Sequence, residues 1–390
     1  MNDSFWGYER ENGQYGIRNH VAIIPSVFCA AKVAERIAQN VPRSIFMRHP
    51  VGCSQVGNDL DTTAQTLIGI GRNPNIAAVV VVGLGCERFK ANELAEGIAS
   101  TGKRLETVVI QEEGDTLRAI EKGSRIAQAM LEAISQERRR EASVSHLMIG
   151  LNCGGSDMTS GLVANPALGI ASDRLVEQGG SSILSELTEL LGTQHILARR
   201  AINEQVGKEI EDAINAMEEH LTKQTRESTN ENRRHLISTG NYDGGLSSVV
   251  EKSLGSMKKS GEKAKFMEVF ATGAIPSKRG LLLMDGPGHD GEVATGQVAA
   301  GAQIICFPTG RGTPSGFPGV PVVKITGNPH TYNRMRANID INAGEVLSGQ
   351  CSLNEMGDRI YQEILDVASG KLCKAEEFGH DELLCITRKP

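Results

Sequence analysis

Several things are scarce in this 390-residue chain. Aromatic residues make up only 4%, which argues against a platform on which nucleic-acid bases stack. No block of Lys and Arg occurs and the net charge is −6, so nucleic acid is not the main partner. No apolar run is long enough to span a bilayer, and Met1 to Arg10 lacks the apolar core of a signal peptide. Neither a Walker A sequence nor a GxGxxG opening a helix is present, which leaves ATP and dinucleotide cofactors without support. The eight cysteines follow no secreted spacing pattern. Disulfides are therefore not expected, and a reducing cytosol is the expected compartment.

Glycine is abundant instead, with 44 residues, clustered in loops that abut apolar runs. An apolar content of 39% is enough for real cores, and the length suggests two or three domains. The pattern along the chain is strand, polar glycine loop, helix. Strands are expected at Val21 to Val27, Ser44 to Met47, Ala77 to Val82 and Leu105 to Gln111, with helices between them. The run Ala77 to Val82 is uninterrupted, the mark of a strand buried on both faces. One long helix is expected over Asp115 to Arg140, ending in the charged run Glu137 to Glu141, read as a solvated helix end and linker. Further strands are expected at His146 to Ile149, Gly180 to Leu184, Gly280 to Met284, Gln303 to Phe307 and Val322 to Ile325. The segment Gln224 to Arg234 is polar and reads as mobile. The expectation is an α/β fold of two lobes with mostly parallel sheets. An N-terminal α/β domain would cover 1–140 and a C-terminal α/β catalytic domain 141–390. In such sheets ligands bind outside the carboxyl ends of the strands.

The central stretch is Gly150 to Gly169, which carries a thiol, a carboxylate, hydroxyls and carboxamides among its glycines. A strand, a polar glycine loop and a helix in that order aim backbone N–H groups at an anion. An ordinary loop with a buried cysteine is the plainer alternative. Cys53, Cys86 and Cys153 each follow a strand beside glycine, where thiolates suit iron, zinc or an iron–sulfur cluster; small buried packing residues are the alternative. His49 and His289 lie in glycine/proline loops at strand ends, where histidine ligates a metal or moves a proton. Arg311 stands between two glycines, and its planar fork suits a carboxylate; a structural salt bridge is the rival. Lys252 suits holding or deprotonating an anionic substrate. Asp157 is a short strand-end carboxylate suited to an oxygen-ligated metal or to capping a helix.

Taken in order, the motifs resemble those of the altronate/galactarate dehydratase family over nearly the whole chain. They are Gly7-Tyr8 through Gly16-Ile-Arg-Asn19, His49 through Gln55, Gly83 through Glu87, Asn152 through Asp157, Ala164 through Ala167, Glu251 through Gly255, Thr309 through Thr313 and Asp340 through Gly344. The resemblance implies a lyase that removes water from a sugar acid. It also implies a divalent metal, Fe2+ foremost, with an iron–sulfur cluster or Mg2+/Mn2+ as alternatives. Full-length relatives carry a small N-terminal domain for substrate access. This chain starts at the catalytic part, so the resemblance implies the large subunit of a split enzyme with a small partner subunit, in an oligomer. Sulfolactate sulfo-lyase large subunits share the architecture, with sulfite leaving rather than water.

Two departures bear on substrate. Hexonate dehydratases tend to show cysteine at the place of Ser256, and a proline-rich approach where this chain has Thr239 to Gly245. The implied reaction is β-elimination from a hydroxy-carboxylate. His49, Lys252, His289 and Arg311 are then the candidate catalytic residues, Lys252 as base. Asn152, Ser156, Asp157, Asn165, Thr309 and Asn342 would bind substrate, and Cys53, Cys86 and Cys153 would hold the metal or cluster. A non-catalytic binding or scaffold subunit is the alternative from another class.

Overall fold

A computed structural model of the chain describes residues 3–225, 236 and 238–388. The polar stretch read as mobile falls almost entirely outside them. The fold is α/β with mostly parallel sheets. The chain opens with β1 (Ser4–Glu9) and β2 (Tyr15–Gly16), an antiparallel pair. Next come β3 (His20–Pro25), β4 (Ser44–Phe46), β5 (Ile76–Gly83) and β6 (Arg104–Val109), a parallel sheet in the order β4-β3-β5-β6. Every residue of β5 is buried, as its unbroken apolar run requires of a central parallel strand.

The helix expected over 115–140 ends early. It covers Thr116–Ile134, opened by Asp115, whose side chain accepts from the Arg118 N–H. The charged run beyond it is largely exposed at Arg138, Arg140 and Glu141, but Arg139 is drawn into the fold. Arg139 donates to the carbonyls of Trp6 (2.6 Å), Ile17 (2.8 Å) and Ala368 (3.1 Å). Residues 140–143 form β7 (Arg140–Ser143), antiparallel to β1. The cut expected after residue 140 thus falls inside a strand.

The remaining strands are β8 (Met148–Leu151), β9 (Ser181–Leu184), β10 (Phe266–Ala271), β11 (Leu281–Asp285), β12 (Ile304–Pro308), β13 (Val322–Thr326) and β14 (Ile341–Asn342). They form one parallel sheet, in the order β10-β11-β9-β8-β12-β13-β14. The edge strand β10 was not anticipated: only two of its six residues are buried, so it lacks the apolar continuity of the central strands. The two lobes share a core, because Ile24, Val79 and Val81 of the first sheet cluster with Ile149, Ile305 and Leu282 of the second. Helix Gly57–Arg72 packs on helix Asp290–Ala299, with Gly69 against the Ala299 backbone.

Strand order places the site. From β8 the chain moves to one side, to β9; from β12 it moves to the other, to β13. The neighbours β8 and β12 therefore form a topological switch point, where the loops after the strands part and leave a crevice.

Candidate active site

The loop after β8 is built by its own backbone needs. Asn152 Oδ1 accepts from the Cys153 N–H (2.8 Å), and Asn152 Nδ2 donates to the Asp290 carbonyl (3.1 Å). The Gly154 N–H donates to Pro308 O, and Gly155 O accepts from the N–H groups of Gly310 (3.0 Å) and Arg311 (3.1 Å). The loops after β8 and β12 are thereby tied together. A Cβ on Gly310 would lie 2.5 Å from the Asp157 nitrogen, so no larger residue allows this approach.

Beneath the loop lies a buried cluster of acids, ammonium groups and a thiol. Glu186 and Glu189 come from the turn after β9. Glu186 has φ +65°, a left-handed conformation that a non-glycine side chain adopts at a cost of about 1–3 kcal/mol. Lys252 and Ser256 come from helix Val249–Ser256, which Ser248 caps by accepting from the Glu251 N–H. Lys259 comes from the 3-10 turn Met257–Ser260. The i, i+4, i+7 spacing puts these three on one helical face. Glu189 Oε2 accepts from Cys153 Sγ (2.7 Å) and Ser256 Oγ (3.0 Å), and pairs with Lys252 Nζ at 2.9 Å. Lys252 Nζ also donates to Ser156 Oγ (2.6 Å) and Cys153 Sγ (3.2 Å). Lys259 donates to Glu186 Oε2, while Glu186 Oε1 accepts from the Cys153 N–H (3.0 Å).

The charges follow from these contacts. Burial, helped by Glu186 and Glu189, pushes the Cys153 thiol up to about 12, so it is a neutral donor. Burial works against a charged Lys252, but the anionic groups around it raise its value; with Cys153 a neutral thiol, the Glu189 carboxylate at 2.9 Å is the partner that holds the ammonium charged. Burial likewise pushes Glu189 up, yet Lys252 and Lys259 bring it below the ordinary carboxylate value. Burial raises Glu186 to about 7 against the pull of Lys259.

Two clefts border this cluster, and another adjoins one of them at Asp157. One, of about 480 Å³, is lined by Gly154, Gly155, Glu189, His289, Asp290 and Glu382 among others. A second is lined by Asp157, Arg311, Asn328, His330 and Arg334, and a third by Ser156, Asn165 and Lys252. Gly155 lines the first and Arg311 the second, and a Cβ added at Gly155 would lie 3.2 Å from Arg311 Cγ.

The expected residues divide accordingly. Asn152, Cys153, Ser156 and Lys252 are brought together, with His289 on the rim of the first cleft and 65% exposed. Lys252, expected as the base, is paired with Glu189 and its pKa is raised. Asn165 donates to the Gly255 carbonyl, and its Oδ1 has no partner among the described residues. Asp157 accepts from Thr159 Oγ1, the Ser160 N–H and Asn328 Nδ2, which makes it a turn-builder on the cleft wall. Thr309 accepts from the Gly312 N–H and Asn342 from the Gly344 N–H; both hold their own turns and line none of the three clefts.

His49, Cys53 and Cys86 are not brought to the cluster. His49 is buried at the end of the first sheet, where Nε2 donates to the Pro25 carbonyl (2.7 Å) and burial lowers it to about 4. Cys53 and Cys86 are exposed, and no triad with Cys153 forms. Sequence reasoning missed Glu186, Glu189, Lys259 and Asp290 as site residues. Their signals were present: two acids three apart after a strand, and two lysines on one helical face.

The one group of described residues that could hold a cation is Cys153, Glu186 and Glu189, whose ligand atoms lie within 4.8 Å of one another. A sulfur and two carboxylates suit Fe2+ or Zn2+ by donor type. Charge decides the other way. Each carboxylate is already engaged by a buried ammonium, and a dication here would face both. This arrangement does not fit a resident metal.

Residues 144–390 match the family described as "D-galactarate/Altronate dehydratase, C-terminal", and residues 7–135 match "D-galactarate dehydratase/Altronate hydrolase, second domain". The chain is 37% identical over 389 residues to (2R)-sulfolactate sulfo-lyase subunit beta of Chromohalobacter salexigens, spanning 99% of this chain and 97% of that one. It is 36% identical over 393 residues to altronate dehydratase of Bacillus subtilis, spanning 98% and 77%. It is 36% identical over 410 residues to galactarate dehydratase (L-threo-forming) of Escherichia coli, spanning 99% and 77%. Dehydratases and sulfo-lyases are both lyases, and so is this protein. None of its described helices is long and apolar enough to cross a membrane. On the strength of these matches over both halves, the chain belongs to the D-galactarate/altronate dehydratase family.

Proposed function

We propose that the chain catalyses β-elimination on a 2-hydroxy carboxylate, first of all dehydration of a sugar acid of the altronate/galactarate type to a 2-keto-3-deoxy acid. The observation that carries this reading is Glu189, an ionised carboxylate on a cleft wall with Lys252, Cys153 and Ser256 all at one of its oxygens. The proton α to a carboxylate is weakly acidic, and its removal leaves an enediolate with a second negative charge. Fixed cations near that charge lower the barrier. Glu189 is the base. Lys252, locked in its charged form, supplies the nearby positive charge. Arg311, reached over Gly155, grips the substrate carboxylate, and His289 handles protons at the rim. The divalent metal implied by the family resemblance has no prepared place in this cluster, and no step is assigned to it.

A second reading, elimination of sulfite from a sulfolactate-like acid, is favoured by the near end-to-end match with a sulfo-lyase subunit. That same match supports a separate partner subunit. The free state of all eight cysteines supports a reducing cytosol.

The test is a screen of hydroxy acids with the chain and its co-expressed partner, reading 2-keto acid and sulfite. Glu189→Gln is expected to lose about 10²-fold or more in turnover, and Arg311→Ala to raise KM. Full turnover by folded Glu189→Gln removes the carboxylate from the mechanism; failure to release either product from any acid removes the reading.

A further inference from the structure

Two carboxyl groups line one cleft and are pushed in opposite directions in acidity. Glu189, from the turn after β9, is ionised for the reasons given above. Asp290 opens helix Asp290–Ala299 in the loop after β11. Its main-chain carbonyl accepts from Asn152 Nδ2 at 3.1 Å, which fixes it against the Cys153 loop. The charged or titratable groups facing it are Glu189, its neighbour His289, Lys252 from helix Val249–Ser256, and Glu382 from the C-terminal segment. Among the described residues no Lys or Arg lines this cleft.

We propose that Asp290 is the proton donor to the departing oxygen, acting opposite Glu189 as base. This rests on the β-elimination reading above and adds the acid that reading leaves open. Where two titratable groups in one site are driven apart in acidity, the one kept protonated is the acid and the other the base. Burial, then the Glu189 charge, push Asp290 up to about 6, against the weaker pull of His289 and Lys252.

The step balances. Glu189 takes the α proton, and the C–H electron pair becomes the new C=C bond. The β C–O bond breaks with its pair on oxygen, which takes the Asp290 proton and leaves as water. The enol then ketonises, losing its O–H proton to solvent and gaining one at the β carbon, while Glu189 gives up and Asp290 regains a proton. Sulfite departs with the C–S electron pair and needs no proton, so Asp290 is dispensable for a sulfonate leaving group.

The experiment uses the chain with its partner subunit, as wild type, Asp290→Asn and Asp290→Glu. Each is followed in D2O for 2-keto acid, for sulfite and for exchange of the substrate α hydrogen by NMR. Wild-type dehydration is expected to fall as pH rises through the Asp290 titration. Asp290→Asn should dehydrate about 10²–10⁴-fold more slowly, lose that pH limb, keep α exchange and keep sulfite release. Asp290→Glu should recover part of the rate. Wild-type dehydration by folded Asp290→Asn with the limb intact overturns the proposal, as does loss of α exchange or of sulfite release in step with dehydration. Wild-type protein that neither exchanges nor eliminates on any hydroxy acid brings down the parent reading, and this one with it.

Discussion

Glu189 and Lys252 form an ion pair of 2.9 Å in which Lys252 is closed to solvent and Glu189 only slightly open to its cleft, and it fastens the end of β9 to the 249–256 helix. In the interior such a pair offsets its own desolvation only while both members are present. Lys252→Met strands the Glu189 carboxylate beside the Cys153 thiol. The expected cost is about 3–5 kcal/mol of stability, read as a lower urea midpoint at unchanged slope. Turnover should fall further than the loss of folded protein accounts for, because the positive charge beside the enediolate is gone. A variant with the wild-type midpoint would show that the pair is open to water in solution.

Periodicity and turn chemistry made the parallel sheets legible. The apolar run of β5 and the strand–loop–helix around Cys153 stand close to where their residues place them. Edges were less visible. β1 and β7 are short and partly exposed, and Arg139 looks like a surface charge until its three carbonyl partners are seen. For the site, each strand-end loop advertised polar residues, but nothing in a loop says which of two lobes it faces. His49 and Cys53 carry the same local pattern as His289 and Cys153, yet they end strands of the other sheet. Glu186 and Glu189 were hidden for a different reason. Acids after a strand usually cap or face solvent, and only the distant lysines make their burial tolerable.

Asp290 gives stability a pH signature. Its folded value of about 6 lies above that of an ordinary aspartate, so the folded protein binds a proton more tightly than the unfolded chain does. The contribution is fully present below the unfolded value and is lost as pH rises through about 6. Asp290→Asn removes this dependence. Its denaturation midpoint should exceed that of wild type at pH 8, and the gain should shrink towards pH 4. The midpoint difference measured at both pH values checks this, and a gain of equal size at the two would assign the effect to packing.

Lys259 and Glu186 are both fully buried, and Lys259 is the cation most completely enclosed by the cluster. Lys259→Met should cost about 3–5 kcal/mol. It also leaves a thiol and two carboxylates within 4.8 Å of one another with Lys252 as the remaining buried ammonium. A dication becomes the natural replacement, and a ligand bound only by the folded state stabilises it in proportion to the logarithm of its concentration. Zn2+ is therefore expected to raise the Tm of Lys259→Met well beyond any effect on wild type, and Co2+ to give a thiolate charge-transfer band in the variant alone. Lys259→Gln, which keeps a donor to Glu186, should show the same band more weakly. If wild-type protein gives the band as strongly, the ammonium groups do not exclude a cation, and the charge argument against a resident metal fails.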